Sequence, residues 1–288
     1  MPVDPCVPMA PRHLPDRFRS LSDADWFRHL TASITQPEID GLQFPRFPPE
    51  ALQSQFVGQS GVAALREAYA FYVFTKGQME SLGHPLPRQG RFLDFGCGWG
   101  RFLRFFWKDV DADNLFGCDT HQPIIDLCES LGVPGQLATI HPRGRLPYPD
   151  GFFDGVLSYS VFTHLPEAVH LHWMGELTRV CKPLATVCLT VQPRRFLDHV
   201  AAIPADATSD WELALRRAQP AIPAHLAEYA ARGFTFLPSN RGCEDVYGDA
   251  VCSPAFITRH WGPGFDLKTY IDHAARMSQG AVVLQRRA

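Results

Sequence analysis

From Asp23, apolar residues recur every three or four positions through DADWFRHLTASI, and they do so again from Gly61 through GVAALREAYAFYVFTKGQMESLG. That spacing predicts amphipathic helices, interrupted by the proline-rich FPRFPPEAL and together making a helical N-terminal layer. After residue 90 the period changes. Short apolar runs now alternate with helical stretches: strand RFLDFG, helix GRFLRFFWKD, strand NLFGCD, helix QPIIDLCESLG and strand GQLATI, followed by strand FDGVLSYS, helix PEAVHLHWMGELTRVCKP and strand ATVCLTVQ. Such alternation predicts a largely parallel sheet with helices on both faces, an α/β architecture. Pro123 and Pro166 stand where a first helical turn begins, a position that tolerates a missing amide.

Between Gln192 and Ser253 the strand rhythm stops, and helix-like pieces such as DWELALRRAQ and AHLAEYAARGF take over. This reads as an insertion over the sheet's edge, a lid. A last helix in SPAFITRHW leads to FDLKTYID and GAVVLQRR, two strand-like runs close enough to pair antiparallel. The expected organisation is therefore an N-terminal arm and helical cap (1–90), an α/β core (91–192), an inserted lid or substrate region (193–252), and a C-terminal helix with two strands completing the core (253–288). The first 20 residues hold five prolines, which predicts an extended arm.

Composition narrows the function classes. With 45% hydrophobic and 20% charged residues the chain is ordinary for a globular protein. A net charge of -3 lacks the basic excess of a nucleic-acid binder and points to small substrates. No apolar run approaches the roughly 18 residues of a membrane span, and the N-terminal residues lack a signal-peptide core, so a cytoplasmic address is expected. The eight cysteines form no CxxC pair; Cys118, Cys128, Cys181 and Cys188 lie in or beside apolar segments, which predicts buried, reduced thiols. The 12 histidines show no metal-binding arrangement, so no metal is expected.

The stretch LDFGCGWGR carries the most chemistry. A strand ends in Asp94, and Gly96, Gly98 and Gly100 follow at alternate positions before a helix. Bare backbone at that spacing suits close approach of a ligand. A dinucleotide loop would read GxGxxG; here the pattern is DxGxGxG, and a carboxylate just before the loop would repel a pyrophosphate. It suits S-adenosylmethionine, which carries an ammonium and a sulfonium and no phosphate. The next strand ends at Asp119, where a carboxylate can accept both ribose hydroxyls of an adenosine.

Taken in order, LDFGCGWGR, GCD, LPYPDGFFDGVLSYSVFTHLPE and ELTRVCKP resemble the successive motifs of class I S-adenosylmethionine-dependent methyltransferases, and in particular a bacterial subgroup with a SVFTHL segment. The resemblance covers residues 90–192, and the closing strands are similar to the family's last two. It implies a Rossmann-like seven-stranded sheet and S-adenosylmethionine as cofactor. It also implies that Asp94, Gly96, Gly98 and Gly100 cradle the methionine part and that Asp119 holds the ribose. Thr120 and His121 would lie near the adenine rim, and Ser158, Tyr159 and Ser160 would line the cofactor. Two departures stand out: Pro142 falls near the place of an adenine-binding acid, with His141 beside it, and CKPLA replaces a glycine pair.

The implied reaction is methyl transfer to a small-molecule or glycan acceptor, with oxygen the favoured atom and nitrogen or carbon the alternatives. No nucleic-acid or membrane partner is expected. A nicotinamide-dependent oxidoreductase and a non-catalytic cofactor-binding protein on a similar fold stay open. His164, in SVFTHLPE, follows the fourth strand and has a pKa range suited to a general base, although it would equally serve to cap a helix or pack on the cofactor. Weaker candidates are the pair His172 and Glu176, His260 with Trp261, and His199, Glu244 and Asp245 in the insertion. The aromatic residues Trp26, Phe27, Tyr69, Phe71, Tyr72 and Phe74, at helical spacing, are expected in the core.

Overall fold

The computed structural model describes residues 11, 13–238, 242, 243, 245–275 and 277–288; Glu244 and most of the arm's first 12 residues lie outside the described residues. Two compact units divide the chain, one of residues 1–141 with 152–157 and one of 142–151 with 158–288.

The first unit begins with α1 (Asp16–Arg19) and α2 (Asp23–Ala32), so the expected extended arm already contains a helical turn. Ser22 caps α2 by accepting the Asp25 amide, which supplies one of the orphan N-terminal donors a partner. A two-stranded hairpin follows, β1 (Glu38–Ile39) and β2 (Leu42–Gln43). The residues that turn it, Asp40 and Gly41, both have positive φ. Asp-Gly is a strong two-residue hairpin signal that helical periodicity obscures. FPRFPPEAL is likewise only half an interruption, because α3 (Glu50–Val57) starts directly after Pro49. The long helix α4 (Gly61–Ser81) then buries Leu65, Phe71 and Tyr72. Trp26 is buried, and Phe27 stacks on Tyr69 with ring centroids 4.7 Å apart, so the N-terminal aromatics are packing residues. The Tyr72 hydroxyl sits with Asp23, Asp109 and Lys76 in a polar knot that satisfies all four groups.

The same unit holds β3 (Phe92–Phe95), α5 (Arg101–Phe106), β4 (Leu115–Asp119), α6 (Gln122–Ser130), β5 (Gln136–Thr139) and β6 (Phe153–Ser158) through Leu157. These strands pair in parallel, β3 with β4 and β6, and β4 with β5. Their side chains are mostly buried in β3 and β6, as a sheet covered on both faces requires.

The second unit holds α7 (Glu167–Val180), β7 (Cys181–Val191), α8 (Arg195–Ala202), α9 (Asp210–Arg216), α10 (Ile222–Arg232), β8 (Phe234–Pro238), β9 (Gly248–Cys252), α11 (Pro254–His260), β10 (Phe265–Ile271) and β11 (Gly280–Arg286). The helix expected through Pro183 stops at Val180, and strand begins at Cys181. Pro183 accounts for this, since it excludes the helical region for the residue before it. Leu184 takes φ 67, the left-handed conformation that a glycine would adopt more cheaply in CKPLA. The insertion is not wholly helical either: β8 and β9 form an antiparallel pair. β11 pairs antiparallel with both β7 and β10, as the closing strands predict.

Seven strands form one mixed sheet in the order β10-β11-β7-β6-β3-β4-β5, the Rossmann-like order with an antiparallel strand at one side. Among the described residues, no helix is long and apolar enough to cross a membrane. All seven described cysteines are free, and six of them, including Cys118, Cys128, Cys181 and Cys188, are buried.

Candidate functional site

The glycine loop is built on the carboxyl end of β3. Gly96, Gly98 and Gly100 have φ of 78°, 50° and 75°, all left-handed, where an L side chain is strained. The loop is tied to β4: the amides of Gly96 and Cys97 both donate to the Cys118 carbonyl, at 2.8 and 3.0 Å. Gly100 has a packing reason to be glycine, because a Cβ there would sit 2.5 Å from Val133 Cγ1. Gly98 differs. A Cβ at Gly98 would meet only the Phe56 ring, at 3.4 Å, so the space beside it is otherwise open.

Asp94 sits just before this loop, 1% exposed, and neither carboxylate oxygen has a hydrogen-bond partner. A buried, unpartnered carboxylate is costly unless it takes a proton or a cation arrives. Burial pushes its pKa up to about 8, the Arg101 guanidinium opposing and Asp119 adding to the rise. The ligand-free chain should therefore lose stability as pH rises. Between about pH 4 and 8 the folded carboxyl keeps a proton that the unfolded chain gives up, so the contribution is full below the unfolded pKa and gone above the folded one. The loss should be on the order of a few kcal/mol, and Asp94→Asn should flatten it. Thermal melts of both chains from pH 5 to 9 check this; parallel profiles would contradict it.

Asp119, at the end of β4, is partly buried and holds the loop from the other side. Its Oδ2 accepts the Gly98 amide at 3.0 Å and its Oδ1 accepts the His121 amide at 3.1 Å. Each oxygen keeps a lone pair for a further donor. Thr120 and His121 follow, both exposed, with His121 at the N-cap of α6. Asp94, the three glycines, Asp119, Thr120 and His121 thus all stand at the carboxyl ends of two neighbouring parallel strands, the edge at which open α/β sheets bind ligands. His141 is also exposed.

In the second unit, Ser158 is fully buried, while Tyr159 and Ser160 are partly exposed. Ser160 takes φ 60, and its amide donates to Thr190 Oγ1 at 2.7 Å while its hydroxyl accepts from Gln279 Nε2 at 2.8 Å. Strain in a non-glycine residue held by two such bonds marks an over-determined position. His164 is fixed against β9: the Gly248 amide donates to the His164 carbonyl at 2.9 Å, and His164 Nδ1 lies 2.8 Å from the Gly248 carbonyl oxygen. A carbonyl only accepts, so Nδ1 carries the hydrogen and the Nε2 lone pair is left to accept. Asp249 Oδ1 is 3.5 Å from Nδ1, and the Tyr247 ring stacks on the imidazole at 4.8 Å and 17°. No sequence signal singled out Tyr247 or Asp249; both come to His164 only through the β8–β9 pair.

The weaker candidates separate. His172 bonds the Gly144 carbonyl and Glu176 bonds Arg179 and the Leu146 amide, so each has its own partners. Trp261 is buried against His170, and His260 packs on Phe256. His199 stacks on Trp211, and Asp245 accepts from Arg143.

Residues 93–189, which span the glycine loop, Asp119 and His164, match a family described as a methyltransferase domain. Over that stretch the chain is similar to a methyltransferase domain. Across 116 residues it is 32% identical to an uncharacterized methyltransferase of Schizosaccharomyces pombe, covering 36% of this chain and 40% of that one. Across 82 residues it is 33% identical to ribosomal RNA small subunit methyltransferase C of Shewanella oneidensis, covering 28% of this chain and 24% of that one. The chain thus spans less than half the length of these curated relatives. Its fold is similar to that of magnesium protoporphyrin IX methyltransferase from Synechocystis PCC 6803, solved with bound SAH, with a TM-score of 0.50 and 13% identity over 81% of this chain and 93% of that one. The sequence likeness is thus to a methyltransferase domain over residues 93–189, and the likeness to the Synechocystis enzyme is one of fold.

Proposed function

We propose that this chain transfers the methyl group of S-adenosylmethionine to an oxygen of a small-molecule or glycan acceptor. The observation that carries the reading is the Asp94 carboxylate, buried without a donor before the glycine loop of a methyltransferase domain. An ammonium group is the partner that relieves its cost. Asp94 with Gly96, Gly98 and Gly100 would hold the methionine part of the cofactor, and Asp119 the ribose, with Thr120, His121, Ser158, Tyr159 and Ser160 completing the lining. When bound, the cofactor supplies a methyl carbon already activated by its sulfonium, so orientation is the enzyme's main task.

His164 is the proposed general base. Its Nε2 takes the acceptor's proton as the oxygen attacks, and Nδ1–H stays on the Gly248 carbonyl, which keeps the imidazole in the required tautomer. The net charge of -3 favours a small acceptor over the RNA named for the Shewanella relative, because an RNA site needs a basic footprint. Residues 193–252 form the acceptor-side insertion in this reading.

The test is calorimetric titration with S-adenosylhomocysteine and, separately, a nicotinamide dinucleotide. The first should bind and the second should not. Gly98→Val should lower the affinity roughly 100-fold or more, since its methyl groups would occupy ligand space in a close-packed site. Both Gly98 and Gly100 carry the strain of a left-handed backbone, but at Gly100 the Val133 contact adds a packing cost that Gly98 lacks. A folded Gly98→Val chain with native affinity would remove the loop from the cofactor site.

A further inference from the structure

The second unit contains a cavity of about 70 Å³. Its apolar side is Leu215 and Leu237, both buried and both members of the insertion's own core with Phe196, Val200 and Ile222. Its polar side is His164 and Asp249, and Trp211, 52% exposed, lines it as well. We propose that this cavity binds the hydroxyl-bearing edge of an aromatic ring in a small neutral molecule, the hydroxyl donating to His164 Nε2 and the ring edge lying against Leu215 and Leu237.

Four observations lead there. His164 lines the cavity and its Nδ1 is committed to the Gly248 carbonyl, so in the neutral imidazole Nε2 is the nitrogen left to accept, which calls for a ligand with a donor. Tyr247, stacked on the imidazole, and Asp249, 3.5 Å from Nδ1, hold that ring in place, so the acceptor is fixed before any ligand arrives. Asp249 sets the charge. A carboxylate lining a partly apolar cavity repels an anion, and an ammonium would lose hydration to the leucine wall without a dedicated partner, because this carboxylate faces Nδ1. The cavity's size limits what enters: it is well below the roughly 150 Å³ that encloses a benzene, so only the hydroxyl and the adjoining ring edge fit and the rest of the ring lies outside. A phenolic hydroxyl, with a pKa near 10, is also a stronger donor to imidazole than an aliphatic one.

The inference rests on the methyl-transfer reading only in making that hydroxyl the methyl acceptor; the binding itself is independent of it. Asp249 then acts in two ways, helping to hold the His164 ring and, as a lining carboxylate, repelling an anionic ligand.

The experiment uses the full chain without cofactor, labelled with ¹⁵N, and follows the His164 imidazole nitrogens by NMR during titration with p-cresol. Saturable movement of Nε2 is expected. Toluene, lacking the donor, should bind about 3- to 10-fold more weakly, the scale of one neutral hydrogen bond. 4-Methylbenzoate should bind more weakly still, and Asp249→Asn should narrow its gap to p-cresol. Equal affinity for toluene and p-cresol, tighter binding of 4-methylbenzylamine, or shifts confined to residues outside the cavity would each overturn the proposal. The native-chain titrations decide the matter even where Asp249→Asn does not fold. Adding S-adenosylhomocysteine to the same sample separates the two readings: cresol binding without cofactor binding defeats the methyl-transfer proposal alone, and the converse defeats this one.

Discussion

Asp94→Asn is expected to weaken S-adenosylhomocysteine binding roughly 10- to 100-fold, the range for one hydrogen bond to a charged group. It should also abolish a proton release that accompanies binding to the native chain. With its pKa pushed up to about 8 by burial, the Asp94 carboxyl is mostly protonated at pH 7, yet it must be ionised to face the ligand's ammonium. Binding at pH 7 should therefore expel close to one proton, and affinity should rise between pH 6 and 8 for as long as the ammonium keeps its charge. Titration in phosphate and in Tris, whose ionisation heats differ, measures the release directly. Identical heats in the two buffers for the native chain would separate Asp94 from the ammonium. The asparagine keeps the side chain's size, so a loss of affinity in a normally melting variant reports charge and not packing.

The second large effect concerns turnover. His164→Ala should lower the rate roughly 10²- to 10⁴-fold once an acceptor is known, while leaving S-adenosylhomocysteine affinity nearly unchanged, because the proton is taken only in the transition state. Raising the pH should restore part of the variant's rate as the acceptor ionises unaided. A histidine that merely packed on the cofactor would show the opposite pattern, with weakened cofactor binding and no recovery at high pH. Loss of the Gly248 hydrogen bond with the side chain adds a structural cost, so the melting temperature has to be followed beside the rate. His164→Gln keeps a polar side chain at the position without a titratable nitrogen, and rates as low as those of the alanine variant are expected from it.

Much of this molecule is legible in its residues one segment at a time. The change from a helical period before residue 90 to alternating strands and helices specifies the sheet, because side chains on a covered parallel strand must be apolar on both faces, and β3 and β6 are buried along most of their length. The three glycines are readable because a left-handed backbone leaves a composition signature: three residues at positive φ in a five-residue turn demand glycine. The misses are local too. The Asp40-Gly41 hairpin and the end of α7 before Pro183 were written in turn chemistry that a search for apolar periodicity passes over.

Tertiary structure alone decided the rest. That Asp94 has no hydrogen-bond donor for either oxygen, and that burial pushes its pKa up to about 8, depends on what packs around it and cannot be read from the letter D. That Gly100 is required by Val133 while Gly98 faces open space distinguishes two glycines that look alike in the sequence. The surroundings of His164 show the same limit most clearly: Tyr247, Gly248 and Asp249 lie more than 80 residues away along the chain and carry no motif of their own. They reach the imidazole because β9 pairs with β8 and its amides bond the main chain at Thr163 and His164. Pairing between distant segments is set by the global burial of apolar surface, so the sequence by itself named the histidine and only the folded chain supplied the groups that fix its tautomer and line its cavity.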